Sequence, residues 1–409
     1  MDIAALANDS DPDGNTLVIT AVSQPASGQG NATFTASKLT FTPATGFTGD
    51  ALFSYTASDG RGGSATANVT VTVRSATPAT DIAGAYETNL LDASNEPSGI
   101  VTVTVTSGRA ATGSALFGGV SYAFTGTVTT SGILQANIPR TRLEPLRLSL
   151  AFTATPAGGG LFSGTIAAGA DTHTLVPDCT LLATTTSALA GKYSALLNLP
   201  AGPGLPAGTG WMTLVAEQTG TLTINGKLAD STSFTAATKL RKDGTFQIYV
   251  TPYTGKTGVL AGRISFATSA TADGTGTLRW SRPAATSGYY PSGFRTDAAV
   301  SISRFTPAPT GIRTIIFPSP ALSTLTLTGG NAPATFQRTF SVSNADIFTL
   351  LTSPADTTLT LNRKNGIVTG TWRDTAGQTR NFSGIVFQKN NTAFGHHLGA
   401  SASGTFTLK

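Results

Sequence analysis

Two stretches of this chain repeat one another, and the repetition limits the fold more than any single motif. Gly84-Ala85-Tyr86, with GIVTVTVTSGRAATGSALFGGVSYAFTG following from Gly99, corresponds to Gly191-Lys192-Tyr193, with GWMTLVAEQTGTLTINGKLA following from Gly210. The tyrosines lie 107 residues apart. A solenoid would repeat every ~20–50 residues, so this period marks duplicated modules. Within each copy, short runs of β-branched and aromatic residues alternate with Thr and Ser and end at Gly, Asn or Asp. No segment sustains a helical period. The chain therefore reads as all-β, in antiparallel β-barrel-like or β-sandwich modules.

At 409 residues the chain is long enough for two to four domains with separate cores. Charged residues are 11% of the sequence, well under the ~25% of an average domain, and the net charge of +5 is spread without a basic stripe. That excludes nucleic acid as the expected partner. The single cysteine, Cys179, rules out an internal disulfide. No run of about 18 apolar residues is present to cross a membrane as a helix. A membrane-spanning barrel is disfavoured as well, because the faces opposite Val101, Val103 and Val105 carry Thr.

Before the first repeat, Leu39 and Phe41, Phe53 and Tyr55, and Val69, Val71 and Val73 alternate with polar residues as in half-buried sandwich strands. LANDSDPDGNTLVITAVSQPASGQG and KLTFTPATGFTGDALFSYTASDGRGG accompany them. Residues 3–74 resemble the bacterial cadherin-like, Ig-like tandem repeats of large surface and secreted proteins. The resemblance implies an Ig-like β-sandwich over 1–75 and an extracellular or cell-surface location. Relative to that family the segment supplying the first strand is missing, as in a piece cut from a longer protein, which predicts an unpaired sheet edge open to self-association.

The loop Asp9-Ser10-Asp11-Pro12-Asp13-Gly14-Asn15 sets carboxylates at alternate positions, the spacing that directs hard oxygen ligands at one Ca2+. Asp9, Asp11 and Asp13, with Asp59 from across the sandwich, form the candidate calcium site. The same residues also suit a plain turn. Thr20 stands where an EF-hand has its bidentate Glu.

SATPAT, at 75–80, reads as a linker. A barrel-like module is expected over 81–187, and a larger related one over 188–409. The latter is read as one domain, since no third Gly-x-Tyr start appears, with a possible division near 307–322. These parts are similar in style to Gly-rich β modules joined to Ig-like repeats in bacterial surface proteins.

Catalytic motifs are not evident. Gly255-Lys256-Thr257 lacks the upstream glycine of a phosphate loop. His396 and His397 point to opposite strand faces, while Asp171 and His173 share one. A ligand rim is expected at Trp280, Arg282, Tyr289 and Tyr290, where Trp-Ser-Arg-Pro and Tyr-Tyr-Pro would hold flat apolar faces beside a cation. Trp211 and Trp372 read as core. The leading functional reading is a non-enzymatic surface or secreted adhesion and spacer region with a glycan or protein partner. Alternatives are a carbohydrate-binding accessory region and a hydrolase whose site the sequence does not reveal.

Overall fold

The computed structural model describes residues 2–45, 47, 49–73, 82–154, 160–181, 188–286, 288–315, 322–334, 336–353 and 355–409. The linker expected at 75–80 lies outside them. The chain divides into two compact units, Met1–Thr77 and Pro78–Lys409.

The first unit is a sandwich of two three-stranded sheets. Strands β1 (Asp2–Ile3), β3 (Gly30–Thr35) and β4 (Lys38–Pro43) pair in the order β1-β4-β3. Strands β2 (Val18–Val22), β5 (Gly49–Ser58) and β6 (Ser64–Val73) pair as β2-β5-β6. Alternation sends Leu39 and Phe41 from one sheet and Ala51, Phe53, Tyr55 and Ala57 from the other into a common core. Phe41 and Phe53 stack there at 5.6 Å. Asp2 and Ile3 pair with Thr40 and Leu39, and Asp2 also accepts from Lys38 and Thr40.

The second unit contains three eight-stranded antiparallel sheets, spanning Gly84 to Cys179, Gly191 to Arg304 and Leu322 to Leu408. Residues 188–409 thus hold two sheets rather than one larger one, each with its own core. The first two share one strand order, 4-3-2-1-8-7-6-5 in the numbering of each module, and the third runs 3-2-1-8-7-6-5-4. Each is a meander curled until its first strand pairs with its last, leaving a nearly closed barrel broken between strands four and five in the first two modules and between strands three and four in the third.

Inward positions explain the alternating sequence. Val101, Val103 and Val105 are buried, as expected, with the intervening Thr102 and Thr104 on the outer face. The Gly-x-Tyr start has a geometric basis. Tyr86 donates its hydroxyl hydrogen bond to the Ile82 carbonyl (2.5 Å), and Tyr193 donates to that of Leu189 (2.7 Å), each four residues upstream. The glycines bring the chain in at φ +152° (Gly84) and +149° (Gly191), in the range other residues avoid. A Cβ on Gly84 would lie 2.3 Å from Thr180 Cγ2. The third barrel starts without this device, and Phe305 and Ile315 belong to its core.

Tyr86 is 1% exposed and packs edge-on against Phe152 at 5.2 Å. Tyr86→Phe removes only a hydrogen bond, about 1 kcal/mol, whereas Tyr86→Ala empties a core site, about 3–5 kcal/mol. Denaturant unfolding should separate the two variants by that margin. Gly84→Ala, at a φ that L side chains avoid, should destabilise by more than the ~1 kcal/mol that a strain-free glycine exchange can contribute.

Candidate functional site at the barrel junctions

The aromatic rim expected from the sequence is not an open surface. Trp280 is in the row of Gly274 and Leu278 on strand Gly274–Arg282 and faces the second barrel's core, 1% exposed. Its indole N–H donates to Tyr253 Oη at 2.9 Å, and its ring meets Phe294 edge-on at 4.8 Å. Arg282 pairs with the fully buried Asp230, which also accepts from Tyr253. Burial and that carboxylate push the Tyr253 hydroxyl well above its ordinary pKa. Strand alternation, continued to the end of the strand, places Trp280 inside and not at a rim.

Tyr289 and Tyr290 belong to the junction between the second and third barrels. Tyr289 Oη donates to the Gly399 carbonyl at 2.7 Å, and Tyr290 Oη accepts from the Ser403 amide at 3.0 Å. Leu196 and Trp211 of the second barrel pack against Ile385 and Phe387 of the third. Trp211 is core, as expected, but core of the junction: its N–H crosses to Ser383 Oγ at 3.1 Å. His396 is buried in this junction with Nδ1 3.2 Å from the Thr209 carbonyl. His397 turns the other way, edge-on to the fully buried Trp372 at 5.2 Å, so the two histidines do occupy opposite faces.

The junction of the first and second barrels is built from polar groups instead. Pro177 interrupts the last strand of the first barrel, Asp171–Cys179, and has no N–H to donate. That strand registers with the first, Gly84–Leu91, only at Thr174 with Leu91 and Leu175 with Leu90. Side chains of the second barrel fill the opening. Gln247 accepts from the Asn89 amide at 2.8 Å through Oε1, and its Nε2 donates to Asp178. Arg241 donates to the Glu87 carbonyl and pairs with Asp178 at 2.7 Å, both charged side chains fully buried. Arg263 pairs with the same Asp178 oxygen, Oδ1, as Arg241 does. This cluster was missed because polar residues alternating along strands read as solvated faces. The one signal was Pro177-Asp178 inside a strand, in a chain with few charges.

The remaining candidates fall out separately. His173 bonds Ser98 (2.8 Å) and meets Phe117 edge-on, rather than pairing with Asp171. Cys179 is a half-buried thiol whose pKa is raised by burial, the opposite of an activated nucleophile. Lys256 belongs to a short 3-10 turn with no helix following. Asp9, Asp11 and Asp59 line one cleft of the first unit, but Asp13 does not. Asp9 accepts from Tyr55 Oη at 2.6 Å, which raises that hydroxyl to about 12. Asp11 Oδ1 accepts from the Asp13 and Asn15 amides, and Asp59 Oδ1 from those of Arg61 and Gly63. These are turn-stabilising bonds. Among the described residues no three His, Cys, Asp or Glu side chains converge as a metal set.

Gln247→Ala should leave the buried Asn89 amide and Asp178 short of partners and cost about 2–3 kcal/mol in denaturant unfolding. Burial, the largest influence, lowers the pKa of His396 from 6.5 to about 4. The unfolded chain then takes up the proton first. Stability should be unaffected above about 6.5 and fall as pH drops, by on the order of 3 kcal/mol below about 4. His396→Asn should flatten much of that slope in unfolding titrations at stepwise lower pH.

Residues 1–72 match the family model of the bacterial Ig domain. No curated protein matches the chain. Among the described residues no helix is long and apolar enough to cross a membrane. The chain is all-β and opens with a bacterial Ig-like segment, of a kind common in surface or extracellular, typically non-catalytic settings.

Proposed function

We propose that this chain is a non-enzymatic adhesion and spacer region of a large bacterial surface or secreted protein, in which an Ig-like sandwich precedes three consecutive β-barrel modules. One observation carries the reading: the residues with the most chemical capacity are spent on joining modules. Arg241, Asp178 and Gln247 fasten the first barrel to the second, and Trp211, His396, Tyr289 and Tyr290 fasten the second to the third. Buried seams of this kind hold consecutive modules in fixed relation, as a scaffold requires. Inter-domain contacts that are large and well packed suppress relative motion.

The match of residues 1–72 to a bacterial Ig domain supports a surface or extracellular setting for the whole. An in-frame deletion of residues 78–409 in the source bacterium tests the role. Loss of attachment to surfaces or partner cells is expected. Restoration by an unrelated array of β domains of similar length would assign spacing alone, and restoration only by the native segment would assign adhesion to it. Unchanged attachment after deletion, or antibody labelling that requires permeabilised cells, would overturn the proposal.

A further inference from the structure

A cleft of about 230 Å3 lies beside the junction of the first and second barrels, with Asn89 and Asn95 on one wall and Gln247, Arg263, Arg279 and Asp297 on the other. We infer that it is a binding subsite for a neutral saccharide, contacted chiefly by Arg279 and Asp297.

The walls come from different modules, yet their spacing is fixed by the buried Asp178–Arg241 pair and by Gln247, so binding there need not bring the modules together. Gln247 itself is fully engaged, its amide nitrogen on Asp178 and its oxygen on the Asn89 amide. Arg279 is different. Its ion pairs with Glu96 and Asp297 are stretched to 3.4 and 3.3 Å, and its side chain is 34% exposed. A guanidinium in full charge-assisted contact sits at about 2.7–2.9 Å, so this one retains donor capacity toward the cleft. Asp297, 54% exposed, offers acceptor oxygens alongside. Asn89, 4% exposed, keeps Oδ1 without a hydrogen-bond partner behind them.

Charge decides the ligand class. Arg263, Arg279 and Asp297 line the cleft, and counting Asp178 and Glu96, which pair with these guanidiniums, and Arg241 behind them, cations and carboxylates balance, so no field favours an anion. Donors and acceptors side by side without net charge match vicinal hydroxyls, each of which both donates and accepts. The volume is below the ~300–1,000 Å3 of drug-sized pockets and suits a single sugar ring, with the rest of a glycan outside. A subsite of that size binds weakly and becomes effective through many copies at a surface.

The full chain should be titrated calorimetrically with cellopentaose, maltopentaose and mannopentaose, and separately with inorganic sulfate. At least one oligosaccharide should bind with a dissociation constant on the order of 0.1–1 mM. Arg279→Ala and Asp297→Asn should each weaken it by about tenfold or more while the melting temperature stays within about 2 °C of the parent. The inference is overturned if no oligosaccharide binds, if sulfate binds in their place, or if binding survives both substitutions.

Discussion

Everything in residues 82–409 depends on an antiparallel contact made three times, in which a module's first strand pairs with its last. Eight strands in sequence order would otherwise form an open meander with two long free edges, a template for aggregation. Curling the sheet removes most of that liability and encloses a core that alternation has already segregated. The second and third barrels make the contact over six and five registered pairs. The first makes it over only two, and the shortfall shapes its neighbour.

Backbone groups left unpaired in a buried place cost as much as a lost hydrogen bond or more. Near Pro177 the first barrel has such groups, and they are satisfied from outside its own sequence, by Gln247 on the Asn89 amide and Arg241 on the Glu87 carbonyl. A buried ion pair is weak evidence of stability by itself. Here the pair also answers backbone positions, and removing either partner would expose both debts together.

Much of the fold was legible from residues. The alternation of Val101, Val103 and Val105, the Leu39–Phe41 pattern and the repeated Gly-x-Tyr all follow from local geometry, and the structure gives each a physical reason. The third barrel was harder to see, because Leu322–Gly329 starts a module without a tyrosine hooked to its own backbone. Trp280 and the two tyrosines illustrate the other limit. Sequence shows that aromatic and guanidinium groups cluster along the chain, whereas their directions depend on what a following module brings against them. Gln247 and Asp178 are 69 positions apart, and nothing in either neighbourhood announces the other.

Ribosomes deliver this chain from its N-terminus, and the opening beside Pro177 then acquires a timing. The first barrel's strands are complete once Cys179 has emerged, but the glutamine that seals its seam follows only after another stretch of nearly seventy residues. Until then the first barrel has every strand and an unfinished seam. Its final consolidation is tied to synthesis of its successor, so consecutive modules mature as a coupled series and not as independent beads.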